Sequence, residues 1–309
     1  MKNYLLLCGG VGGAKLALGF SKVLQPSNMT IVVNTGDDFE YLNLKICPDL
    51  DTVIYTLSGE SDSSKGWGRA DESWAMIKTL GDLGGDTWFQ LGDKDLATHL
   101  LRTDLIKKGA SLSFVSQELC KQFNVDHLIL PMTDDLVETY VQTKNKLLSF
   151  QEYFVKLQCE PPVSNFVFKG LDNAKFNPLI NLSSFNEIII CPSNPFVSIN
   201  PIIQLSELNK FLRENSDRVS VISPIVKAKS LKGPTSKIMN ELGLDVSVKT
   251  IASFYQEFAH TLFIDRADSH QRKDIESLGF KVFESDLIMN NLESKIALAK
   301  SIINYLEKN

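Results

Sequence analysis

Carboxylates recur in close pairs along the first half of the chain. Asp37 and Asp38 stand in "NTGDD" with Asn34, and Asp49 and Asp51 in "CPDLDT". Asp93 and Asp95 flank Lys94 in "LGDKDLATH", and Asp134 and Asp135 close "TDD". Such pairs suit Mg2+ bound together with substrate phosphates, because this small hard cation takes one or two carboxylates and completes its shell with phosphate oxygens and water. Asp and Asn are also common helix caps and turn formers, so any one pair alone is more often structural. The chemical reading rests on all the pairs falling at one edge of a sheet. Lys94 is then either a cation for phosphate or an exposed helix residue.

The second feature is "LCGGVGGAKLALGF", residues 7–20. It lacks the second Gly and the hydroxyl of a P-loop, and it places Lys15 where a dinucleotide fingerprint needs a small residue. Its physics still points to phosphate. Gly10, Gly12 and Gly13 allow close backbone approach and positive φ. A helix starting near Ala14 would aim its free N–H groups at an anion on the loop. The alternative is a tight strand-to-helix turn that holds nothing.

These loops need a scaffold, and the chain can build one. It has 309 residues, 43% of them hydrophobic, enough for one large domain or one with a smaller lobe. A net charge of −5 with no basic run argues against nucleic acid as partner. The cysteines, Cys8, Cys47, Cys120, Cys159 and Cys191, are scattered and odd in number, which fits a reducing cytoplasm rather than a disulfide scaffold or a zinc site. No apolar run approaches the roughly 18 residues of a membrane span, and the start is too soon broken by glycine for a signal peptide.

Strand and helix patterns alternate. "KNYLLL", a helix over 14–24 and "MTIVVN" open a parallel strand–helix–strand unit. The same grammar returns with "EIIIC", a helix over 204–215, "VSVISPIV", a helix from Pro234, "HTLFID", a helix over 269–278, "FKVFES" and a closing helix from Asn291. The expected fold is α/β, a doubly wound, mostly parallel Rossmann-like sheet. Residues 1–59 and 125–309 are its core, with a β-rich excursion near 136–170, and residues 60–124 are a mainly helical inserted lobe. In such sheets ligands sit beyond the carboxyl ends of strands. The glycine loop, the acidic pairs, "PSNPFVSINP" and "PIVKAKSLKGPTSK" all follow predicted strands, "TWFQL" among them. Trp67, between glycines in "GWGR", either stacks on a planar ligand or anchors its loop. The residues alone thus describe an enzyme handling a nucleotide or diphosphate with Mg2+, its acceptor unnamed.

Taken together, "GGVGGAKLALG", "NTGDDFEYLNLKICPDLDTVIYTLSG", "GWGRADESW", "LGDKDLATHLLRTDLI", "LPMTDDLVETYV", "CPSNPFVSINPI" and "SPIVKAKSLKGPTSKIM" resemble the 2-phospho-L-lactate transferase family of deazaflavin coenzyme F-420 biosynthesis. The resemblance runs over nearly the whole chain in the family's order. "GGVGG" in place of "GGTGT", with "GWGR" and "DLATHL", resembles the bacterial, phosphoenolpyruvate-transferring branch. Lys94 stands where family members often carry Arg, which replaces a bidentate phosphate contact by a point charge.

The resemblance implies a donor made of guanosine diphosphate carrying a three-carbon acid on its terminal phosphate, phosphoenolpyruvate or 2-phospho-L-lactate. It implies the deazaflavin alcohol as acceptor and GMP as leaving group. Gly10, Gly12 and Gly13 would cradle the diphosphate, Ser193, Asn194 and Gly233 would hold the guanosine, and Lys15 and Asn34 would also bind substrate. Asp51, with Asp49 beside it, would stand at the acceptor hydroxyl, to orient it, take its proton or hold the metal. Asp37, Asp38 and Asp51 would be the Mg2+ ligands. Trp67 and Lys94 would face the deazaflavin under the helical lobe, in a cytoplasmic homodimer. A regulatory protein of the same superfamily, which binds a nucleotide sugar without transfer, is the alternative, and "CPDLDT", "GWGR" and "LGDKDLATH" argue against it. Lys15 also disfavours a dinucleotide oxidoreductase.

Overall fold

A computed structural model of the chain describes residues 2–62, 65–231 and 233–308. Ser63, Ser64 and Lys232, which fall inside or beside two of the motifs above, lie outside the described residues. The first half runs β1 (Tyr4–Cys8), α1 (Val11–Ser21), β2 (Met29–Val33), a hairpin of β3 (Phe39–Tyr41) and β4 (Leu44–Ile46), then α2 (Pro48–Ser58). Helices α3 (Ala75–Asp82), α4 (Asp93–Lys107) and α5 (Leu112–Gln122) lead to β5 (Leu128–Pro131). An antiparallel set of β6 (Glu138–Thr143), β7 (Leu147–Ser149) and β8 (Val163–Lys169) follows. The second half holds β9 (Glu187–Ile190), α6 (Asn200–Ile203), α7 (Ser206–Glu214), β10 (Val219–Ile222) and a small hairpin of β11 (Ile225–Val226) and β12 (Lys229–Ser230). It ends with α8 (Thr235–Glu241), α9 (Val248–Tyr255), β13 (Thr261–Asp265), α10 (Arg272–Glu276), β14 (Lys281–Ser285) and α11 (Leu292–Lys308).

Seven strands form one sheet in the order β14-β13-β10-β9-β1-β2-β5, and every pairing in it is parallel. The interior strand β1 is buried at all five residues, as expected for an apolar run covered on both faces. Leu5 and Leu7 join the core on one face, with Val32, Ile188 and Ile190. Tyr4, Leu6 and Cys8 join the other, under α1, α2 and α11. Helix α5 belongs to that second core: Val115 and Leu119 are buried in it, and the Ser116 hydroxyl donates to the Ile129 carbonyl at 2.9 Å. Strand order reverses at β1, since β2 and β5 lie to one side and β9, β10, β13 and β14 to the other. The crevice between the ends of β1 and β9 is the switch point where such sheets take ligands.

Four local expectations change. Helix α1 begins at Val11, not near Ala14. "VSVISPIV" breaks at Ser223–Pro224, where the missing proline N–H ends the ladder and the chain turns into the β11–β12 hairpin. The helix expected over 269–278 starts as a 3-10 turn, Arg266–Gln271, before the short α10. "TWFQL" is not a strand: Trp88 and Phe89 pack instead on Phe39 and Tyr41 of the β3–β4 hairpin, with ring centroids 4.8–6.1 Å apart.

Candidate functional site

The glycine loop and the loop after β9 are stitched together at the switch point. The Gly9 N–H donates to the Ser193 hydroxyl at 3.0 Å. A Cβ on Gly12 would fall on the Pro192 carbonyl oxygen, and one on Gly13 would sit 2.9 Å from the Cys8 Cβ and the Ser193 Oγ. None of Gly10, Gly12 and Gly13 has positive φ, which overturns that part of the sequence reading. Gly12 and Gly13 lie inside the first turn of α1, and glycine is needed there for closeness to the β9 loop rather than for backbone freedom. The N–H groups of that first turn remain for an acceptor outside the helix. Asn194 caps the turn Pro195–Ile199, its side-chain oxygen accepting from the Phe196 and Val197 N–H groups at 2.9 and 3.3 Å. Its amide nitrogen is buried without a hydrogen-bond partner. The Lys15 ammonium donates to the Met289 carbonyl at 3.3 Å. Gly233 lies at φ +65° in the open turn before α8, a conformation that suits glycine.

Beside this seam lies a buried acidic cluster. Asn34 follows β2, and its backbone N–H donates to the Cys8 carbonyl at 2.9 Å. Its amide donates to Asp49 at 3.0 Å while its oxygen accepts from the Gly36 N–H at 2.9 Å. Asp49 and Asp51 occupy the first turn of α2, which Pro48 starts and whose positive end favours carboxylates. Asp37, Asp38, Asp49 and Asp51 are each less than one-tenth exposed. Burial pushes the Asp49 carboxyl up to about 7, against the pull of the Asn34 hydrogen bond. Burial, with the Asp49 charge next, raises Asp37 well above the usual carboxylate range. Burial also raises Asp38, while Lys45, 3.2 Å away, opposes it. Asp37 Oδ1, Asp38 Oδ1 and Asp51 Oδ2 are buried without hydrogen-bond partners.

Helix α4 closes the cluster. Asp95, His99 and Arg102 stand at i, i+4 and i+7, one helical face. Arg102 is only 1% exposed; its guanidinium pairs with Asp51 Oδ1 and lies 3.0 Å from His99 Nδ1 and 3.3 Å from the Lys45 carbonyl. His99 Nε2 lies 3.3 Å from Asp95, which also accepts from the Tyr55 hydroxyl at 2.7 Å. Lys45, Tyr55, His99 and Arg102 join the cluster although none of them stands out among the sequence motifs. The i, i+4, i+7 spacing of Asp, His and Arg was the available signal. Ligating atoms of Asp51, Asp95 and His99 come within 4.8 Å of one another, the one such set among the described residues.

The other pairs have structural employment. Asp93 caps α3, accepting from Ser73 and from the Ala75 and Met76 N–H groups. Asp134 accepts from the Ser113 N–H of α5 at 2.7 Å, and Asp135 from the Lys175 N–H at 2.8 Å. The Lys94 ammonium reaches the Ala70 carbonyl at 2.9 Å and so holds the Trp67 loop rather than the acidic cluster. Trp67 is 43% exposed, its ring 6.3 Å from that of Trp74 at 76°, with Lys65 3.9 Å above the Trp74 ring. A cavity of about 370 Å³ opens beside Asp38, lined by Thr35, Lys45, Thr103, Leu112 and Val137.

The fold and site are those of a doubly wound α/β protein with a glycine-seamed helix N-terminus and buried carboxylates at its switch point. The chain belongs to the family described as 2-phospho-L-lactate transferase CofD, whose model matches residues 5–293. It is 34% identical to a phosphoenolpyruvate transferase of Kitasatospora aureofaciens, over 98% of this chain and 97% of that one. It is equally 34% identical to a 2-phospho-L-lactate transferase of Methanosarcina barkeri, over 97% of each chain. A solved structure of a UPF0052 family protein from Bacillus halodurans shares the fold, with a TM-score of 0.61 at 13% identity over 98% of both chains. Among the described residues no helix is long and apolar enough to cross a membrane.

Proposed function

We propose that the protein moves a phosphorylated three-carbon acid from a guanosine diphosphate-activated donor to the ribityl hydroxyl of the deazaflavin alcohol, releasing GMP. The observation that carries this reading is the buried acidic cluster, with unpartnered carboxylate oxygens, set against the α1 N-terminus at the switch point. The diphosphate lies on the first turn of α1, with Lys15 and Asn34 nearby. The guanosine extends over the β9 side, toward Ser193, Asn194 and Gly233, and the unpartnered Asn194 amide is a free donor for it. Asp51 orients the acceptor hydroxyl, whose oxygen attacks the phosphorus bearing the acid while the bond to GMP breaks. Asp49, titrating near about 7, is poised to take the hydroxyl proton. The acceptor ring packs toward Trp67 under the helical segment 60–124, and the chain works as a homodimer.

Asp37, Asp38 and Asp51 remain the proposed Mg2+ ligands, and their ligating oxygens do not all come within 4.8 Å of one another as those of Asp51, Asp95 and His99 do. Asp37, Asp38 and Asp51 offer hard oxygens, and at least one oxygen of each is buried without a hydrogen-bond partner. The Asp51–Asp95–His99 set fits Mg2+ less well, because it includes an imidazole and both Asp95 oxygens already face Tyr55 and His99. Bound there with the donor phosphates, Mg2+ would supply charge neutralisation, and positioning with neutralisation is most of what such transfers require. Incubation with the deazaflavin alcohol, Mg2+ and each guanosine donor tests the reading. The expected result is a deazaflavin phosphodiester and GMP in equal amounts. Both kinds of relative are equally similar to this chain, so the mass of the product identifies the acid. Absence of deazaflavin binding would overturn the reading.

A further inference from the structure

Helix α4 places a guanidinium, an imidazole and a carboxylate on one buried face, and that face meets the acidic cluster at Asp51. A guanidinium has donors and no acceptor, so the 3.0 Å contact from Arg102 to His99 makes Nδ1 the accepting nitrogen. His99 then carries its proton on Nε2, facing Asp95 at 3.3 Å, and Tyr55 holds the other Asp95 oxygen. The result is a line of polar groups, Tyr55, Asp95, His99 and Arg102, that ends on one oxygen of Asp51. Arg102 also reaches the Lys45 carbonyl, while the Lys45 N–H donates to the Thr103 hydroxyl at 2.8 Å. Its orientation is therefore set from three sides before any substrate arrives. Asp51 Oδ1 is committed to Arg102, and Oδ2 has no hydrogen-bond donor.

We propose that Arg102 is a positioning residue for the transfer: its planar fork fixes the Asp51 carboxylate so that one oxygen is held and the other is left for the reacting partners. The inference rests on the transferase reading above. Arg102 contacts Asp51, His99 and the Lys45 carbonyl, so its effect must pass through Asp51. A lysine keeps the charge but cannot span three acceptors in one plane.

The test is a double-mutant cycle on turnover. Arg102→Lys is expected to lower kcat on the order of tenfold, with the KM for the guanosine donor within about twofold, because positioning of the nucleophile's partner is lost while donor binding is not. Removing the charge alone would strand a buried carboxylate, so the arginine is changed only to lysine, and the cycle is completed with Asp51→Asn and Asp51→Asn/Arg102→Lys. Once Asp51 is neutral, loss of Arg102 should lower kcat by less than about twofold further, the non-additivity of two groups acting as one unit. If the second substitution costs about tenfold more, or if Arg102→Lys turns over like wild type, the positioning role is overturned. A wild-type protein that performs no transfer overturns the proposed function itself, a separate outcome.

Discussion

A methyl group added at Gly12 tests how closely the first turn of α1 is packed against the loop after β9. If glycine were needed only for backbone approach to a diphosphate, a side chain there would block the ligand and leave the fold intact. In the structure a Cβ would fall on the Pro192 carbonyl oxygen and lie 3.8 Å from the Ser193 Cα. Neither neighbour is a flexible side-chain end, so α1 must move away from the β9 loop. Overpacking of this kind costs about 1–3 kcal/mol. For a chain of 309 residues, an unfolding entropy of about 2.1 cal/mol/K per residue converts 1 kcal/mol into roughly 1.5 °C. Gly12→Ala should therefore melt about 2–5 °C below wild type. The same displacement moves the first-turn N–H groups, so GDP affinity should fall about tenfold, or ~1.4 kcal/mol. Gly81→Ala is the control. Gly81 lies in α3, and its added Cβ would meet only the Thr87 Cγ2 at 3.4 Å. Better helix propensity, about 0.5–1 kcal/mol, should raise its melting temperature slightly. Scanning calorimetry and GDP titration read both quantities. A Gly12→Ala protein with wild-type melting and wild-type affinity would refute the close seam.

Asp49→Asn should flatten the pH dependence of stability in the ligand-free protein. The folded pKa of Asp49 is raised to about 7, so its contribution to stability is fully present below the unfolded pKa of 3.8 and is lost as pH rises toward 7. Urea midpoints of both proteins from pH 4 to pH 8 check this, and parallel curves would remove Asp49 as the source. Asp51→Asn should lose turnover while keeping GDP affinity, and turnover within about threefold of wild type, under ~1 kcal/mol of barrier, would make Asp51 structural. Trp67→Ala should weaken the deazaflavin several-fold and leave GDP unaffected, since stacking supplies about 0.5–1.5 kcal/mol beyond burial; a fluorescence titration with unchanged affinity would remove that wall. Chelation of Mg2+ should stop transfer and fresh Mg2+ restore it, and full activity in excess chelator would remove the metal from the account.

The sheet was legible because its strands are near-continuous apolar runs. "YLLLC" and "EIII" are buried at every residue, as strands covered on both faces are. The β3–β4 hairpin was not legible. Its strands are three residues each, and its turn is Leu42–Asn43 at φ 52° and 59°, without the glycine that usually marks such a turn. The start of α1 was misplaced because two glycines look like loop, while their reason for being in a helix lies across the crevice at Pro192 and Ser193. The acidic loops were visible as chemistry, yet spacing alone could not separate Asp49 and Asp51, which are buried in the cluster, from Asp93, Asp134 and Asp135, which cap or tie segments. Arg102 and His99 were invisible for a different reason. Polar residues in mid-helix ordinarily face water, and it is the packing of α4 against β4, with Asp51 and Tyr55 of α2 within reach, that turns them inward.

The most direct measurement of the central claim is mass spectrometry of a single-turnover mixture. It contains the wild-type protein, the deazaflavin alcohol, Mg2+ and guanosine diphosphate linked either to phosphoenolpyruvate or to 2-phospho-L-lactate. The account predicts a deazaflavin product heavier by the phosphorylated acid, with GMP appearing in step and with neither formed when the deazaflavin is omitted. Donor that stays intact, or donor hydrolysed at the same rate with and without the deazaflavin, would contradict it.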